Sequence, residues 1–174
     1  MIALRSDALS DQHLALFGAI VHWFARYECL MQRAMTKVGD ADDASVIALT
    51  KGLDFGEKKE ALLRLLHYRD APLDQCDAVR DYLKLPSRLE PLRDDIAHSE
   101  WTRGEAEDSI QPSWILQPPE TIKALRGSQI APGGLHEDAD EIAEYTLADL
   151  AQIAERLAQN YGAFRAYLEE IGRI

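Results

Sequence analysis

Between Ser10 and Val38 the apolar residues Leu14, Phe17, Val21, Phe24, Met31, Met35 and Val38 recur at intervals of about three and four. Such spacing lines one stripe of an α-helix, whereas a strand would need alternation every second residue. The stretch reads as one amphipathic helix of about eight turns, closed by Gly39. An apolar stripe that long has to be covered by other helices, so it commits the chain to helix-on-helix packing. The stripe is interrupted at Tyr27 and Glu28. Glu28 is either a solvated side chain or, turned inward, a carboxylate that needs a cation such as an Arg from another helix.

The remaining segments supply such helices. Asp40 to Asp43 is a polar turn, and Ala44 to Thr50 suits a short helix. Asp54-Phe55-Gly56-Glu57 reads as an N-cap with its carboxylate three residues on, opening a helix through Arg69 with Leu62, Leu63, Leu65 and Leu66 inward. Lys58, Lys59, Arg64 and Arg69 on this segment read as a solvated face. Pro72 suits a first helical position, after which Leu73, Cys76, Val79 and Leu83 keep helical spacing to about Leu85. Pro86 should kink or break that helix, and Ser87-Arg88-Leu89-Glu90 offers a new capping box, with Pro91 in the first turn. The expectation is a bent continuous element or two helices nearly end to end. Thr146-Leu147-Ala148-Asp149 is another capping box, and Leu147, Leu150, Ile153, Leu157, Tyr161, Phe164, Tyr167 and Leu168 continue a helix to about Ile171.

Residues 99–140 change character: four of the seven prolines, Pro112, Pro118, Pro119 and Pro132, fall there with Gly133-Gly134. Trp101-Thr102-Arg103 and Ser113-Trp114-Ile115-Leu116 suit a small hairpin across Gly104 to Asp108. The expected fold is all-α, an antiparallel bundle of four to five helices in a single domain over 1–174. Residues of about 99–140 form an irregular or hairpin excursion before the last helix.

A chain of 174 residues with 47% hydrophobic content can bury one substantial core. No run of about 18 apolar residues is present and the amino terminus lacks a secretory pattern, so no membrane span is expected and the localisation read from the sequence is cytoplasmic. Cys29 and Cys76 lack metal-ligand spacing and read as small buried thiols. Gly-rich phosphate loops, zinc spacings and nucleophile elbows are missing, so neither cofactor nor metal is expected.

A net charge of −11 opposes broad affinity for nucleic acid, which needs basic surface to neutralise phosphates. The acidity is uneven: residues 1–98 carry 13 basic and 16 acidic groups, residues 99–174 carry 6 and 14. From Lys58 to Arg93 the balance is 8 basic to 6 acidic.

The densest chemistry lies in Leu92-Arg93-Asp94-Asp95-Ile96-Ala97-His98-Ser99-Glu100-Trp101. Asp94 and His98, four apart, share a helix face, so Asp94 is placed to orient His98 and favour its protonated form. Arg93 and His98, five apart, stand about 140° round an ideal helix, so a loosened last turn or a second chain would have to bring them together. Leu85, Leu89, Leu92 and Ile96 form the apolar stripe that anchors this helix.

Arg93, four intervening residues, then His98, with Asp94 directly after the arginine and the Ile96-Ala97-His98-Ser99 ending before Trp101, resembles the R-x(4–6)-H motif of the HEPN superfamily. The last helix resembles the final helix of such proteins. The resemblance implies an antiparallel helical bundle, commonly a homodimer whose two motifs face one cleft. It also implies metal-independent cleavage of an RNA substrate: His98 moving protons at the ribose 2′-hydroxyl or leaving 5′-oxygen, Arg93 holding the scissile phosphate. Asp94, Ser99, Glu100, Tyr27 and Glu28 would assist. By the same resemblance the chain belongs with toxin-antitoxin or phage-defence proteins, with an antitoxin or other protein as partner.

A second reading stands beside it. Arg93 can fasten helices by pairing with Glu28 or Asp95, and His98 can cap a helix end where a cation meets the carbonyl dipole. The chain is then a noncatalytic dimeric helical-bundle interaction protein.

Overall fold

The structure, a computed structural model, describes residues 8–113 and 144–174. The described chain is mostly helical, with a small antiparallel sheet. In order come α1 (Asp11–Gly39), α2 (Asp43–Thr50), α3 (Phe55–Tyr68), α4 (Leu73–His98), β1 (Glu100–Arg103), β2 (Ser109–Ser113), β3 (Tyr145–Thr146) and α5 (Leu147–Glu170).

Local capping sets three of the helix starts. Ser10, Asp54 and Thr146 each accept from the backbone N–H three residues on, and the side chains of His13, Glu57 and Asp149 answer back to the cap backbone. α1 is the central element and packs against α5, α3, α2 and α4. Its buried stripe runs through His13, Phe17, Ile20, Phe24, Tyr27, Leu30, Met31, Ala34, Met35 and Val38. Tyr27 therefore fills the apparent gap in the pattern, and the stripe passes through Ile20 instead of Val21.

That phase corrects the sequence reading at two residues. Leu14 is 45% and Val21 39% exposed. Following 3.6 residues per turn from Phe17 and Phe24 leads to His13 and Ile20, which leaves Leu14 and Val21 outside. An 18-residue window of α1 reaches a mean hydropathy of 1.2, and only 33% of it is buried. Length and composition alone would let such a helix cross a membrane, yet its inner stripe is spent on packing against the neighbouring helices.

α4 runs unbroken from Leu73 to His98 with Pro86 and Pro91 inside it. The capping box expected at Ser87 and Glu90 does not form: Ser87 lies mid-helix, and Glu90 instead accepts from the Phe55 backbone N–H at 3.2 Å. Pro72 is the cap residue, and Leu73, 71% exposed, is not part of the core. Cys76 is buried but Cys29 is exposed, so only one of the two thiols fits the buried expectation.

The hairpin forms with an earlier second strand than expected. Trp101 pairs with Pro112 and Arg103 with Ile110, while β3 pairs with Ser109 and Ile110. Trp114 to Leu116, and the prolines beyond them, lie outside the described residues. Asp108 adopts a left-handed φ of 59° in the turn. At Gly104 the Glu144 carboxylate and the Ser109 hydroxyl approach so closely that a Cβ would displace them. Glu144 accepts from the backbone N–H groups of Glu105 and Ala106, fastening the hairpin tip to the strand before α5. Trp101 anchors the sheet on α1, its ring 4.7 Å from that of Phe17.

Candidate functional site

The second half of α4 presents the motif. Leu92 is buried and Leu85, Leu89 and Ile96 pack against the core, so the polar residues project from an anchored helix as the spacing implied.

Arg93 is engaged at several points. Its Nη1 lies 3.1 Å from Asp94 and its Nη2 3.8 Å from Glu90. The guanidinium carbon sits 5.8 Å from the centre of the Phe24 ring, a cation–π distance. Its Nε is buried with no acceptor among the described residues. Arg93 thus pairs with neither Glu28 nor Asp95 in an ion pair.

Glu90 joins this group to the start of α3. Burial pushes its carboxyl above the usual carboxylate range, and the nearby charges of Asp54 and Asp94 add to the rise. Arg93 and the Phe55 N–H oppose it. With Asp54 and Glu57 capping α3 reciprocally, three carboxylates crowd one helix N-terminus. Arg93 therefore stands in acidic surroundings, which weakens its pull on a phosphodiester.

His98 is the last residue of α4 and is exposed, as is Asp94. Among the described residues no hydrogen bond joins the two, although their spacing puts them on one face. The helix stays regular through His98, so Arg93 and His98 remain about 140° apart on it. Ser99 ends the helix, its N–H donating to the Asp95 carbonyl at 2.9 Å, and its hydroxyl is buried without a partner among the described residues. Glu100 is exposed at the start of β1.

The two assisting residues from α1 are placed elsewhere. Tyr27 is fully buried, and its hydroxyl donates toward the Leu157 carbonyl and Asn160 Oδ1 on α5. Burial, with a contribution from Tyr161, pushes its phenol far above the usual range. Glu28 forms an ion pair with Lys58 of α3, so the cation expected for it is a lysine and not an arginine. Lys58, read from the sequence as part of a solvated face, is buried.

Two residues that matter here escaped the sequence reading. Glu90 was assigned to capping its own helix, and only the fold could bring Phe55 to it. Lys58 carried one usable signal, its place three residues after the inward Phe55, on the same helix face.

Two shallow clefts lie on the surface of the described residues. The larger, about 340 Å³, is lined by Arg33, Thr36, Lys37, Asp43, Arg165, Glu169 and Ile174, and the smaller lies between α4 and α5. Neither is lined by Arg93 or His98. Among the described residues no group of His, Cys, Asp or Glu side chains is arranged to hold a metal ion. Compared with known protein families, curated proteins and solved structures, the chain matches none.

Proposed function

We propose that this chain is a HEPN-like helical bundle that works as a dimeric interaction protein, two copies meeting through the outer face of α1. One observation carries the reading. Residues 12–25 contain no Asp, Glu, Lys or Arg, in a chain that is 28% charged. Yet Leu14 and Val21 are exposed on that segment, alongside Ala15, Gly18 and Ala25. A helix face turned permanently to water is normally charged.

Charge favours a second copy as the occupant. Two chains of net charge −11 repel each other over most of their surfaces, and an uncharged face is where they can approach. A two-fold contact would pair the face with itself. Arg93 then serves as a clamp between α4 and α1 through Glu90, Asp94 and Phe24. The test is the molar mass in solution. Wild type should run as a dimer, and Leu14→Glu with Val21→Glu as a folded monomer; a wild-type monomer at all concentrations rejects the proposal.

A second reading, metal-independent RNA cleavage with Arg93 and His98 in a composite cleft, is supported by the exposure of His98 at the end of α4. An exposed imidazole is free to move a proton. In that reading a second chain, or the RNA, supplies what brings the two side chains to one phosphate. Cleavage of single-stranded RNA in EDTA, lost in His98→Ala, is the result it requires.

A further inference from the structure

The smaller cleft is a notch of about 110 Å³ between the middle of α4 and α5, lined by Leu85, Arg88, Leu89, Ile153 and Arg156. We infer that it is a binding site for a small aliphatic carboxylate, held by Arg88 and Arg156 and floored by the three aliphatic side chains.

Charge is the first argument. The chain has 30 acidic and 19 basic side chains. Lys58, Arg80, Lys84, Arg93 and Arg165 each pair with a carboxylate. Among the described residues Arg88 and Arg156 make no ion pair, and no carboxylate lines their notch. Two positively charged side chains border this one small space, and an anion placed there is attracted by both.

Geometry and chemistry narrow the anion. Guanidinium offers a planar fork of donors that matches two carboxylate oxygens, and its weak hydration suits a place beside aliphatic carbon. Leu85, Leu89 and Ile153 are half-buried, so each has surface left for an apolar stem to cover. The volume is well below the roughly 300 Å³ at which pockets for drug-sized ligands begin. One head group with a short branched stem fits these demands, and a nucleotide does not. This site is separate from the α1 face and from the Arg93 motif, so its test is independent of both.

The experiment uses isovalerate as the probe on the full chain, with chloride at equal ionic strength as the control and inorganic phosphate as a head group without a stem. Isovalerate should raise the wild-type melting midpoint by about 3 °C at a concentration well above its dissociation constant. Saturation-transfer NMR should show its methyl protons in contact with protein. Arg88→Gln with Arg156→Gln should remove both responses while melting no lower than wild type without ligand, because both side chains are exposed. Phosphate should protect less than isovalerate. No wild-type response, an undiminished response in the double variant, or phosphate protecting equally well would each overturn the assignment.

Discussion

The Glu90 carboxylate on α4 accepts a hydrogen bond from the backbone N–H of Phe55, the first residue of α3, at 3.2 Å. This bond caps one helix with a residue from another, and it partly opposes the rise that burial imposes on the Glu90 carboxyl. The folded protein holds the Glu90 proton more tightly than the unfolded chain does, because burial and the charges of Asp54 and Asp94 disfavour the anion.

The sign of the pH dependence follows. A carboxyl raised in the folded state stabilises the fold most when protonated, and that contribution is lost as pH rises from the ordinary value of 4.5 through the folded value. Asp42 and Asp149, held below their ordinary values by capping bonds with Ser45 and Thr146, act oppositely and lose their contribution as pH falls. Glu90→Gln keeps an acceptor for Phe55 and removes the charge. It should be at least as stable as wild type at pH 7, its advantage shrinking toward pH 4. Glu90→Ala strands the Phe55 N–H and should cost about 1–2 kcal/mol at pH 4, and less at pH 7, where it also removes a disfavoured charge. Urea titrations of the three proteins at both pH values check this, and an advantage of Glu90→Gln that does not change with pH counts against it.

Arg93 and His98 should separate cleanly by stability. Arg93 has only 23% of its side chain exposed, pairs with two carboxylates and covers Phe24. Arg93→Ala should cost about 1–2 kcal/mol, more than an ordinary surface ion pair, because Glu90 is left among like charges. His98→Ala should stay within about 0.5 kcal/mol of wild type. Chemical denaturation gives both numbers, and equal losses would mean that Arg93 is no clamp.

What the sequence made legible were the contacts that close within one turn. The Asp54–Glu57 and Thr146–Asp149 boxes and the end of α1 at Gly39 all stand where local spacing put them, because each depends on neighbours three or four residues away. The phase of α1 was not legible. Tyr27 looked like a break in an apolar stripe, yet its ring is apolar and its hydroxyl finds Leu157 and Asn160 on α5. The pairing of Glu28 with Lys58 and the capture of Glu90 by Phe55 were equally hidden, since each joins residues 30 or more apart. At the motif, spacing gave the faces of Asp94, His98 and Arg93 correctly but not their partners.

Tyr27 allows a test of its own placement. Tyr27→Phe keeps the ring contacts with Phe55 and Tyr161 and removes only the hydroxyl bonds to α5. The expected loss is about 1 kcal/mol. Any RNA cleavage the protein shows should be unchanged per folded molecule, because the phenol is fully buried between α1 and α5. A loss of cleavage without a loss of stability would place Tyr27 near substrate and contradict its burial.

Ser87 gives the opposite kind of forecast, a substitution that should help. It sits one residue after Pro86 and four before Pro91, in the part of α4 where two backbone donors are missing. Its hydroxyl is buried and has no hydrogen-bond partner among the described residues. A buried hydroxyl without a partner keeps its desolvation cost, and serine is also a poorer helix former than alanine. Ser87→Ala removes both penalties without opening a sizeable cavity. The variant should be more stable than wild type by about 0.5–1.5 kcal/mol, read as a higher urea midpoint at unchanged slope. A less stable variant would mean that the hydroxyl bonds a water or backbone carbonyl freed by the prolines, and that α4 depends on that bond to stay continuous through Pro86 and Pro91.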